Sequence, residues 1–234
     1  SVFDAELSAV NNFAGATLTL SRNGGANAQD QFSATGLLGP LTQGGALIYN
    51  GTTIGSVTTN SGGTLALTFN ASATQANLDS AVRQIAYGNT SDTPPAGVQI
   101  DWLFSDGNAG AQGSGGAMTA SGSTNVSITA VNDAPVVASN GGGATAAVSV
   151  AENQTAVTTV TSTDVDGGTP TYTIGGGADA ARFTIDASSG LLTFNAAPNF
   201  EAPTDAGGNN VYEVTVQVAD GNGGTDTQSI AVAV

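Results

Sequence analysis

Tyr212-Glu213-Val214-Thr215-Val216-Gln217-Val218-Ala219-Asp220-Gly221-Asn222 alternates apolar and polar side chains and then breaks at an Asp-Gly-Asn turn. Successive side chains of a strand point to opposite faces, so this alternation buries one face and leaves the other wet. The same design occurs earlier. Val98, Ile100, Trp102 and Phe104 alternate with Gln99, Asp101, Leu103 and Ser105, and Asp106-Gly107-Asn108 turns the chain. Each turn leads into a last β-run, ending at Val131 in one half and at Val234 in the other. Two copies of one strand–turn–strand ending predict two tandem antiparallel sandwiches of related design.

Between the copies, Val131-Asn132-Asp133-Ala134-Pro135-Val136 marks the boundary. Pro135 has no N–H to give a ladder and holds its predecessor extended. The loose stretch Ser139-Asn140-Gly141-Gly142-Gly143 follows. The expected domains are therefore 1–131 and 132–234. Further strands are expected at Ala16–Ser21, Ala46–Asn50, Ile54–Thr58, Thr64–Phe69, Ala146–Val150, Val157–Thr163, Thr171–Ile174, Arg182–Ile185 and Leu191–Phe194. In Thr74–Ala86, Leu78, Val82 and Ile85 fall at helical spacing, so one short helix is expected in the first sandwich. The fold class is all-β, with Ser1 opening into a strand-like segment.

Composition narrows the chemistry. Asp and Glu number 18 against three Arg (Arg22, Arg83 and Arg182), with no Lys, His or Cys, giving a net charge of −15. Such a surface repels phosphate, which argues against nucleic-acid binding. It disfavours anionic membranes too, and no apolar run reaches the ~20 residues of a spanning helix. Thiolate nucleophiles, disulfides, zinc–cysteine sites and imidazole catalysis are all unavailable. The abundant Ser has no Lys or His to deprotonate it, so an enzyme is not expected. Two explanations of the acidity stay open, an acidic solubility coat and neutralisation by a hard cation such as Ca²⁺, which prefers oxygen ligands.

Position favours the cation in the second domain, where acids cluster beside turns. Ala151-Glu152-Asn153 opens the domain, and Asp164-Val165-Asp166 follows an early strand. Asn199-Phe200-Glu201 precedes the penultimate strand and Asp220-Gly221-Asn222 follows it. Extended alternation would throw Asp164 and Asp166 to one side, able to share one ion. The competing explanation for Asp106 and Asp220 is that Asp before Gly simply forms turns. Gly223-Gly224-Thr225-Asp226 and Gly175–Asp179 resemble single calcium nonapeptides but lack the tandem copies that stack, and read as loops.

This ordered set, with Phe183-Thr184-Ile185-Asp186 and Ser189-Gly190-Leu191-Leu192-Thr193, resembles the cadherin repeat. It is most similar to the cadherin-like modules of large bacterial surface adhesins of the RTX type, over 145–234. The resemblance implies Ca²⁺ at inter-domain junctions, with Asn132, Asp133, Asp164, Asp166 and Asp220 as ligands at the junction with the first domain. Glu152 and Glu201 would face a following module. Where the family has Asp-x-Glu, this chain has Asn199-Phe200-Glu201, one carboxylate fewer. The first domain is similar to another repeat of those proteins through Phe3-Asp4-Ala5-Glu6-Leu7, Ile85–Pro94 and Trp102–Asn108. That implies a divergent cadherin-like sandwich, with Asn89 and Asp92 as its share of the junction and Asp4, Glu6 and Asp106 as outlying ligands.

The expected protein is a non-enzymatic, calcium-rigidified extender from a secreted bacterial surface adhesin, mediating adhesion or biofilm attachment. It is expected to be a monomer, an interior piece of a longer exported chain whose partners are neighbouring repeats, with glycans or other cadherin-like modules as further partners. The alternative is a carbohydrate-binding, lectin-like module, which would expose aromatics near a calcium. Most aromatics fall on the inward strand phase, Trp102 among them, which favours the extender; the pattern leaves Tyr49, Tyr87 and Phe200 unassigned.

Overall fold

A computed structural model describes residue 2, residues 4–108 and residues 116–234. Ser1 and Phe3, which belong to the expected opening segment, lie outside the described residues. The chain divides into two compact units, Ser1–Ala130 and Val131–Val234. Both are built from short, mostly antiparallel strands packed as sandwiches, and the fold is nearly all-β.

In unit 1, α1 (Ala5–Val10) precedes β1 (Thr17–Arg22), β2 (Asp30–Ala34), β3 (Ala46–Tyr49), β4 (Thr52–Ser61) and β5 (Thr64–Phe69). Then follow α2 (Gln75–Val82), β6 (Ile85–Asn89), β7 (Gly97–Ser105) and β8 (Thr119–Ser127). The main sheet runs β3-β4-β5-β1-β7-β8, and β2 pairs with β6 in a second, two-stranded sheet. Alternation does the sorting: Leu65, Leu67 and Phe69 of β5 are buried while Thr64, Ala66 and Thr68 between them are less so. They meet Leu18, Ile100, Phe104, Phe32 and Leu78 in one core. Each fully buried aliphatic of this size contributes about 1.5–3 kcal/mol relative to exposure, so this face and not helix propensity fixes the unit.

Two local features differ from the sequence expectation. The opening segment is helical rather than extended, because Asp4 Oδ1 accepts from Glu6 N (3.0 Å) and Leu7 N (2.8 Å) and seeds α1. Unit 1 therefore holds two α-helices among its described residues, not one. The expected helix is also shorter than Thr74–Ala86. Thr74 caps its start, accepting from Asn77 N, and it stops at Val82 because Ile85 already pairs with Ala34 in β6.

Unit 2 runs β9 (Val136–Val137), β10 (Thr145–Ser149), β11 (Ala156–Thr159), β12 (Ser162–Thr163) and β13 (Thr171–Gly176). A 3₁₀ turn (Ala180–Arg182) leads to β14 (Phe183–Ile185), β15 (Leu191–Phe194), β16 (Val211–Ala219) and β17 (Thr225–Ala233). One sheet has the order β10-β17-β16-β13, the other β11-β15-β14, and β12 pairs with β9. Every pairing is antiparallel except β10 with β17. Tyr212, Val214, Val216 and Val218 are almost wholly buried, as their phase predicts. Phe183 and Phe194 stack at 4.5 Å, and Tyr212 meets Phe194 edge-on at 5.0 Å. Buried Gln228 ties down the glycine loop, donating to Ser139 O and Gly143 O and accepting from the Asn140 amide. No helix among the described residues is long and apolar enough to cross a membrane.

Candidate metal centre

The antiparallel register of β16 and β17 gives unit 2 two ends, one at the Ala219–Thr225 turn and one where Val211 faces Ala233. Acidic loops gather at both.

At the first end the segment 132–134 crosses the loops at 164–168 and 220–224. Asn132 Nδ2 donates to Asp220 Oδ2 at 2.7 Å, and Asp133 N donates to Asp166 Oδ2. Asp220 Oδ1 accepts from Asn222 N (2.7 Å) and Gly224 N (3.0 Å). The Asn132 amide, followed by these loop N–H groups, holds the Asp220 carboxyl below the usual carboxylate range. Gly224 permits the close approach, since a Cβ there would lie 2.3 Å from Asp220 Oδ2 and 2.8 Å from Ala134 Cα. Asp164 and Asp220 line one cleft of about 90 Å³ with Pro135, Ser162, Gly167 and Pro170.

Asp164-Val165-Asp166 is a bend, not the extended strand that alternation assumed. Asp164 Oδ1 accepts from Asp166 N at 2.9 Å, closing a local side-chain turn. Both acids are half-buried while Val165 is 60% exposed, so they still share the inward side of the loop. Thus Asn132, Asp133, Asp164, Asp166 and Asp220 are brought to one rim. Among the described residues, however, no three acidic side chains converge as a formed metal cage. The donors are all oxygens, which suits a hard cation such as Ca²⁺, and Asp164 and Asp220 already share a cleft.

At the opposite end Glu152 Oε2 accepts from Phe200 N (3.1 Å) and Asn153 N donates to Pro198 O (2.9 Å). Asn199 Oδ1 accepts from Glu201 N, and the Asn210 amide donates to Phe200 O. Glu152 and the loop bearing Glu201 are therefore neighbours. Phe200 stands 53% exposed between them.

In unit 1 the nominated residues sit in separate local settings. Asp4 is the α1 N-cap, and Glu6 sits in the first helical turn. Asp92 lies exposed in a loop. Asn89 Nδ2 donates to Asp30 Oδ1 at 2.9 Å, and its own oxygen accepts from Ser91 N. Asp106 is buried, its Oδ1 accepting from Asn108 N and Met118 N, while Oδ2 has no hydrogen-bond partner among the described residues.

Sequence reasoning missed the acids with buried structural work. Asp30, 2% exposed, forms a two-pronged ion pair with Arg22 (2.9 Å to Nε) and accepts from Tyr87 Oη at 2.6 Å. Burial pushes its carboxyl up, but Arg22, Tyr87 and Asn89 outweigh that and hold it below the ordinary range. Asp179 accepts from Ala206 N and Glu213 N, and Asp205 from Asn209 N and Asn210 N. Asp226 accepts from Val137 N at 2.8 Å. Some of the acidity is thus answered by backbone N–H groups, a third possibility beside solvent and cations. The only signal in the sequence was turn context: Asp179 and Asp205 border glycine-rich loops.

Residues 132–233 match the family model of the bacterial Ig domain. No curated protein matches the sequence. Among solved structures the chain is similar to protocadherin gamma C5 EC1-3, at 19% identity and a TM-score of 0.49, covering 93% of this chain and 55% of that one. It is also similar to mouse cadherin-23 EC22-24 (14%, 0.42, 91% and 56%) and Drosophila N-cadherin EC1-4 (14%, 0.43, 91% and 44%). The chain spans about half the length of these structures.

Proposed function

We propose that the chain is a pair of calcium-binding, calcium-rigidified extender modules of an adhesion protein on a bacterial surface, of the RTX adhesin type. The observation that carries this is the rim of unit 2, where the 132–133 segment is hydrogen-bonded to the carboxylates of Asp166 and Asp220. Asp164, beside Asp166, lines one cleft with Asp220. Asp133, Asp164, Asp166 and Asp220, with the Asn132 side-chain oxygen, would hold Ca²⁺ there. The ion would supply the positive charge this acidic rim lacks and fix the 132–134 segment to the sandwich, stiffening the chain between neighbouring modules. Glu152 and Glu201 would serve a second site at the other end.

Calcium titration by calorimetry, with melts in Ca²⁺ and in chelator, tests the reading. Micromolar or tighter binding that Asp164→Ala with Asp166→Ala removes supports it. Identical melts and no binding heat defeat it.

A second reading has one observation in its favour. Phe200 is exposed beside Glu152 and Glu201, as an aromatic platform near a cation would be in a carbohydrate-binding module. Glycan-array binding lost in Phe200→Ala would move the function to that end.

A further inference from the structure

Segment 132–134 is strapped to the rim of unit 2 by two N–H donors. The Asn132 side-chain amide uses Nδ2 twice, donating to Asp220 Oδ2 at 2.7 Å and to Asp133 O at 3.0 Å. An amide's nitrogen and oxygen have nearly the same size, so the partners decide which is which. With the amide turned over, Asn132 Oδ1 would face a carboxylate and a carbonyl, an acceptor against two acceptors. One residue further on, the main-chain N–H of Asp133 donates to Asp166 Oδ2. These are the carboxylates that a cation at this rim would take as ligands.

The two tethers differ in what an ion would do to them. Asp166 has an oxygen to spare: Oδ2 holds Asp133 N, and Oδ1 accepts from no other described residue. It can keep the strap and still ligate. Asp220 has none to spare, because Oδ1 takes Asn222 N and Gly224 N while Oδ2 takes the Asn132 amide. A cation and an N–H brought to one carboxylate oxygen repel, since both carry positive charge there. The donor that can leave is Asn132, an exposed side chain, whereas Asn222 and Gly224 donate from the main chain of the turn. Half a turn of its amide puts Oδ1 where Nδ2 stood and converts a donor into an oxygen ligand. Gly224 leaves room for this, since a Cβ there would stand 3.1 Å from Asn132 Nδ2.

We infer that Asn132 is an exchangeable latch: its amide donates to Asp220 when calcium is withheld and turns over to present Oδ1 to the ion when calcium binds, while Asp133 N stays on Asp166 in both states. The inference rests on the calcium reading above and adds to it how the site is regulated. The ion is captured by a strap that is already docked, in exchange for two hydrogen bonds. Giving up those bonds weakens calcium binding by about tenfold to a hundredfold relative to a rim without the latch.

Nitrogen-15 NMR of the whole chain, first in chelator and then titrated with Ca²⁺, reads both tethers separately. In chelator the Asn132 side-chain NH₂ and the Asp133 main-chain N–H should both exchange with solvent about tenfold more slowly than in an unstructured peptide. Calcium should release the Asn132 protons to the free rate and leave the Asp133 proton protected. Asn132→Ala, which removes the latch at an exposed position, should cut the Asp133 protection in chelator by about tenfold, and calcium should restore it. Free exchange at Asp133 in wild-type chain without calcium overturns the latch. So do Asn132 protons that calcium leaves untouched while the binding heat is present and is removed by Asp164→Ala with Asp166→Ala; the metal reading then stands without it. If no binding heat appears at all, the metal reading fails and takes the latch with it.

Discussion

The two units place their most distinctive carboxylates differently. Unit 1 takes one inside: Asp30 is buried against Arg22, Tyr87 and Asn89, and the strand carrying it depends on that network. Unit 2 buries Asp179 and Asp205 against backbone N–H groups but sets Asp164, Asp166 and Asp220 in rim loops, where the Asn132 amide and loop N–H groups face them. A buried charge must be fully paired or it destabilises the fold, so it is committed to structure. A rim charge tolerates exchange of partners and is available to an ion. The same residue type is therefore committed to structure where it is buried and left open to new partners where it stands at a rim.

The largest expected effect breaks this contrast from the unit 1 side. Asp30→Ala leaves Arg22 without its counter-ion and should cost unit 1 about 3 kcal/mol. The melt followed by Trp102 emission, which belongs to unit 1, should drop by ten degrees or more. Near-ultraviolet signals from Tyr172 and Tyr212 in unit 2 should hardly move. Acid works in the same direction. Because folding holds Asp30 below the usual carboxylate range, its contribution is complete above about pH 3.9 and is lost as pH falls through the lower folded value. The Asp30→Ala variant should lack that share of the acid sensitivity.

Calcium comes next and should act in the reverse pattern. At about 100 times its dissociation constant an ion adds about 2.7 kcal/mol per site. The unit 2 transition should rise by about ten degrees while the Trp102 transition stays in place. A rise confined to Trp102 would put the cation in unit 1 and invert the comparison. Gly224→Ala is smaller. The new methyl collides with Ala134 and Asp220, and the strain should cost unit 2 about 1–2 kcal/mol and weaken any calcium effect with it. Smallest is Asp4. Asparagine caps a helix about as well as aspartate, so Asp4→Asn should be near neutral and Asp4→Ala should cost about 1 kcal/mol, both regardless of calcium. A calcium-dependent loss in Asp4→Asn would restore it as a ligand.

Legibility in the sequence tracked burial in the same way. β7 and β16 were plain because long alternating runs allow one register only. β2 was hidden because Asp30 and Phe32 share its buried face, and a charge on the inner phase erases the pattern. α1 was hidden because six residues are too short for a helical period; its signal was the cap at Asp4. In unit 2 the neighbourhood of the 132–133 segment with 164–166 and 220 was implied by the cadherin resemblance and not by spacing alone. The bend at Asp164–Asp166 could not be anticipated, because it comes from a side chain accepting from its own backbone. Nor could the Asp30 network, whose partners lie up to 59 residues away in the chain.

The single parallel pairing among the described residues has a mechanical consequence. β10 and β17 run side by side in the same direction, from Thr145 beside Ser229 to Ser149 beside Ala233. Tension applied at Val131 and at Val234 draws β10 backward and β17 forward along their common axis. The bonds between them are then strained together in shear, where an antiparallel hairpin pulled from its open end would unzip rung by rung. Unit 2 is thus clamped across its two ends by a patch that must fail as a whole.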